Sequence, residues 1–84
     1  MSQTLIYLEV ALIRLKEAEQ QLERAENRYS VAQEAAYYQG THEADVEIEV
    51  AYEIYQEKCG EVAQCEAAYR QLIELSQKCM IHLE

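Results

Sequence analysis

Proline, tryptophan and phenylalanine are absent from these 84 residues, and glycine occurs only at positions 40 and 60. Without proline, no residue removes a backbone donor or wedges a helix open. So few breakers beside so much Glu, Gln, Ala and Leu predict an all-α chain. Cations are scarce as well, with seven Lys and Arg against sixteen Asp and Glu, for a net charge of −9. That balance excludes phosphate backbones and anionic membranes as direct partners and favours a protein with a basic surface. Half of the residues are hydrophobic, a globular rather than disordered composition.

Long apolar runs are missing too. The stretch from Leu5 to Leu15 is interrupted by Glu9 and Arg14. It is too short to span a bilayer and has no basic leader, so it makes a poor signal peptide. Cys59, Cys65 and Cys79 are odd in number and form no Cys-x-x-Cys pair. They predict neither a disulfide framework nor a zinc site, but reduced thiols packed in a cytoplasmic protein. His42 and His82 fall at opposite ends of a folded hairpin, and no Glu-x-x-His pair faces a seam. With no glycine-rich phosphate loop and no nucleophile beside a base, neither an enzyme nor a cofactor or metal site is expected.

What is present is a repeat. Ala11, Ala18, Ala25 and Ala32 recur every seven residues, with Leu8, Leu15, Leu22, Tyr29 and Ala36 at the complementary heptad position. This spacing marks a helix packed lengthwise on another helix. The second half carries its own heptads in Ile48, Ala51, Tyr55, Lys58, Val62, Cys65, Tyr69, Leu72, Ser76, Cys79 and Leu83. Gly40 can end the first helix in a left-handed conformation, and Thr41 can cap the second, with Glu43 and Asp45 in its first turn. Folding there pairs residues whose numbers sum to eighty. Ala32 then meets Ile48, Ala25 meets Tyr55, Ala18 meets Val62 and Ala11 meets Tyr69, so small opposes large, as knobs-into-holes packing asks. Leu22 against Lys58 and Thr4 against Ser76 fit less well. Gly60 lies on the outer face, where a continuous helix is expected. The predicted architecture is one helical-hairpin domain over 1–84, with helices at about 4–38 and 43–82 and a loop at about 39–42. The hairpin is coiled-coil-like and is expected to dimerise into a four-helix bundle.

Two surfaces are left over. At the open end, away from the loop, Leu5, Ile6, Val10, Leu12 and Ile13 nearly surround helix one, and Ile73, Leu75, Met80 and Ile81 join them from helix two. A helix apolar all round asks to be covered on more than one side, which predicts a homodimer or a groove for a partner helix. Toward the loop, Glu49, Glu53, Glu57 and Glu61 follow one another at four-residue steps, whereas Glu66, Arg70, Glu74 and Lys78 alternate in sign on the same track. Each like-charged step costs about 0.2–0.5 kcal/mol. Together with Glu43, Asp45 and Glu47, and with Tyr37, Tyr38 and Tyr52 beside them, they form a candidate face for a basic protein.

The expected function is therefore non-enzymatic. One reading is an acidic inhibitor of a basic, nucleic-acid-handling protein, a nucleic-acid mimic of anti-defence type. The other is a small adaptor or chaperone subunit of a larger assembly, such as a secretion system, that grips a partner helix through the apolar open end.

Overall fold

A computed structural model describes residues 3–82, apart from the side chains at positions 4 and 79–82. Two helices, α1 (Gln3–Gln39) and α2 (His42–His82), lie antiparallel along their lengths, and no strand occurs among the described residues. Only Gly40 and Thr41 connect them, the short end of the expected loop.

The turn is built from the two residues the sequence offers for it. Gly40 takes a φ of 59°, and its N–H donates to the Ala36 carbonyl at 2.9 Å, the five-to-one bond of a left-handed helix cap. The Thr41 Oγ1 accepts from the Ala44 N–H at 3.2 Å, and the Thr41 carbonyl accepts the first intrahelical bond, from Asp45. Glu43 and Asp45 stand in the first turn of α2, at the positive end of its dipole. Helix α2 runs through Gly60 without interruption, and a Cβ added there would meet nothing within 4 Å.

The seam is made of alanine. Among the described residues the buried ones are Ala18, Ala25 and Ala32 of α1 and Ala44 and Ala51 of α2, with Ala51 down to 1% exposure. Ala44 extends the heptads of α2 one position upstream of the Ile48 at which the sequence pattern starts. Ala11, the fourth alanine of the α1 repeat, is only half-buried. Beside the seam, Tyr29 stacks on Tyr55 at 5.9 Å between ring centroids and tilts against Tyr52 at 5.3 Å. Lys58 resolves its awkward layer by extending. Its stem is half-buried, while Nζ donates to Gln21 Oε1 at 3.1 Å across the helices and pairs with Glu61 at 3.2 Å. The Thr4–Ser76 layer lies outside the described side chains.

Among the described residues no large side chain is fully buried. The chain is a rod with a radius of gyration of 19.0 Å, against about 12 Å for a compact domain of this length. Its accessible surface is 6810 Å², about 1,600 Å² more than a compact monomer of this mass exposes.

Candidate functional site: two surfaces of the rod

The charge divides along the rod. Residues 17–63, the loop half, hold twelve carboxylates against three cations and so carry −9. The remaining four carboxylates and four cations cancel. The whole net charge of the chain therefore belongs to the half around the turn.

Within that half the carboxylates are not equivalent. Glu47 pairs with Arg28 across the helices at 2.8 Å, and Glu61, half-buried, pairs with Lys58. Glu43, Asp45, Glu49, Glu53 and Glu57 are exposed and have no ion pair among the described residues. A four-residue step overshoots a full turn by about 40°, so the stripe winds about 120° round α2 between Glu49 and Glu61. Its outer members stay in water, and its last one reaches the seam. The unpaired core of the stripe is thus Glu49, Glu53 and Glu57, with a rise of about 6 Å per step.

The tyrosines separate in the same way. Tyr37 and Tyr38 pack edge-to-face at 5.3 Å and stand 84% and 77% exposed at the end of α1. Tyr52, 43% exposed, makes different contacts. It lies against Tyr29, and its hydroxyl accepts from Gln56 Nε2 at 2.9 Å. Tyr52 thus borders both the stripe and an aromatic cluster that holds one side of its ring. In that cluster the neighbouring Cys59 raises the Tyr55 phenol above its ordinary value, by a side-chain hydrogen bond and by charge, and Glu26 adds to the shift.

At the open end Leu5, Ile6, Val10, Ile13 and Leu75 are exposed, while Leu12 and Ile73 are half-buried. Met80 and Ile81 lie outside the described side chains. Ile6 and Val10, with Ala11, Ala68 and Leu72, line a groove of about 430 Å³ between the helices. Tyr7, which the sequence pattern passes over, lines it too. Three more grooves lie toward the turn, and each shares a wall with the next. Arg14 belongs to the first and second, Gln21 to the second and third, and Arg28 to the third and fourth. They form one continuous channel along a single side of the hairpin. Its last segment, of about 330 Å³, is lined by Val31, Ala32 and Ala35.

Cys59 and Cys65 are free and half-buried. Among the described residues no group of three His, Cys, Asp or Glu side chains stands close enough to hold a metal ion, and no helix is long and apolar enough to cross a membrane. Comparison with protein-family models, curated proteins and solved structures gives no match to this chain.

Proposed function

We propose that this chain is a non-enzymatic protein-interaction module whose acidic half binds, and thereby inhibits, a basic nucleic-acid-handling protein in the cytoplasm. The observation that carries this reading is the run of unpaired, exposed carboxylates at Glu49, Glu53 and Glu57 on a rigid helix. Like charges at this spacing work against the helix that bears them, so their retention suits a surface completed by a cationic partner. A regular row of anions on a rod competes with a nucleic-acid backbone for the same basic groove. Tyr37 and Tyr38 add large, exposed contact area at the same end of the rod.

The test uses the chain as bait in a lysate of its source cells, beside a Glu49→Lys/Glu53→Lys variant checked for unchanged helicity. A nucleic-acid-handling protein captured by the first bait, absent from the second and released by high salt is the expected result. Equal capture by both baits overturns the proposal.

The apolar segment of the channel at the open end favours a second reading, in which the chain is an adaptor or chaperone subunit that holds a partner helix there. In that case capture survives both charge reversal and high salt, and Ile6→Asp abolishes it.

A further inference from the structure

The α1 wall of the channel has an approximate two-fold symmetry. On α1 it runs from Ile6 to Ala35, and on α2 from Glu47 to Leu72. The midpoints of the two spans, between Gln20 and Gln21 and between Cys59 and Gly60, stand at the same height on the antiparallel seam. Reflected through that midpoint, two pairs of α1 positions in the lining correspond. Val10 corresponds to Val31, both exposed, and Glu17 corresponds to Arg24. Apolar ends flank a polar middle.

We propose that this channel is the interface of an antiparallel homodimer, in which a second copy related by a two-fold axis through the midpoint completes a four-helix bundle. An isologous contact requires a patch complementary to itself after a half-turn, and the correspondences of Val10 with Val31 and of Glu17 with Arg24 meet that condition. Charge selects the same direction. Antiparallel packing lays the neutral open end of one copy on the −9 half of the other, whereas parallel packing sets the two −9 halves side by side. Area agrees as well. Covering the surplus of about 1,600 Å² on each copy buries about 3,200 Å² in all, inside the range of obligate homodimers. The proposal does not rest on the acidic face, since none of Glu49, Glu53 and Glu57 lines the channel.

The experiment is sedimentation equilibrium of the purified chain at tens of micromolar, with helicity followed by circular dichroism. The expected mass is twice the 9.8 kDa of the single chain. Val10→Asp and Val31→Arg are each expected to weaken the dimer by about a hundredfold or more, because every dimer carries the change twice. The double variant Val10→Asp/Val31→Arg is expected to recover to within about tenfold of the original, since the new carboxylate of one copy faces the new guanidinium of the other. Should the single variants lose helicity, recovery of helicity and mass together in the double variant supports the proposal equally. A chain that sediments as a monomer overturns it and leaves the channel to a partner helix. A double variant weaker than either single one also overturns it, because only parallel packing sets like substitutions against each other.

Discussion

The two halves of this rod follow one heptad pattern and solve different problems with it. Around the turn, Ala25, Ala32, Ala44 and Ala51 are buried, three tyrosines pack beside them, and two ion pairs tie charges that would otherwise repel. At the open end Ala11 is only half-buried, large aliphatic side chains stand in water, and the charges cancel. The loop half is thus closed against its own chain and carries its surplus as charge. The open half stays unfinished and carries its surplus as apolar surface. Helix pairing sets the repeat, and the side chains outside the repeat decide what each half does with its outer face.

The sharpest way to break this contrast is to enlarge a seam alanine in each half. Ala51→Leu forces three extra carbons into a site with 1% exposure and should destabilise the hairpin by about 2–3 kcal/mol in urea unfolding. Ala11→Leu, beside the open channel, should change stability by less than about 1 kcal/mol. Equal losses would mean that both halves are packed alike. The glycines offer a smaller contrast of opposite sign. Gly40→Ala places a side chain at a φ of 59° and should cost about 1–2 kcal/mol, whereas Gly60→Ala enters open space in a helix and should add about 0.5–1 kcal/mol, both read from thermal melts. Smallest is the effect of charge within the fold. Glu53→Lys turns two repulsive steps, to Glu49 and to Glu57, into attractive ones and should raise stability by about 1 kcal/mol at low salt, with the gain fading as salt is added. A variant that is more stable yet binds less would show that the native stripe is kept for something other than folding.

The hairpin and its turn were legible because each rests on local chemistry or on strict spacing. Alanine every seven residues, glycine at the left-handed position and threonine before two acids all act over a few residues. The charge of the loop half was legible for the same reason. The Arg28–Glu47 pair was not, since only the packed hairpin brings these two helix positions together, and the Lys58–Glu61 pair was not, since the slow winding of the stripe brings its last member alone to the seam. The contact of Tyr52 with Tyr29 was not legible either, because its helix position borders both the stripe and the seam and only packing brings the two rings together. The channel escaped notice because its walls alternate between helices. Tyr7 looks like a stray exposed residue on α1 until Ala68 and Leu72 of α2 supply the opposite wall, and Val31 does until Glu47 supplies one near the turn.

The two-residue turn carries a consequence for how the molecule finds its alignment. A seam of alanines repeated every seven residues looks nearly the same after one helix slides past the other by one repeat, so the seam alone indexes the pairing poorly. Gly40 and Thr41 supply the missing origin, because a slipped pairing would have to spool seven residues into a connection that holds two. Pairing that starts at the turn grows outward through contacts of steadily increasing sequence separation, each closing only a small additional loop. The tip therefore sets the zero of the ruler, and the two open ends are the last to be told where they belong.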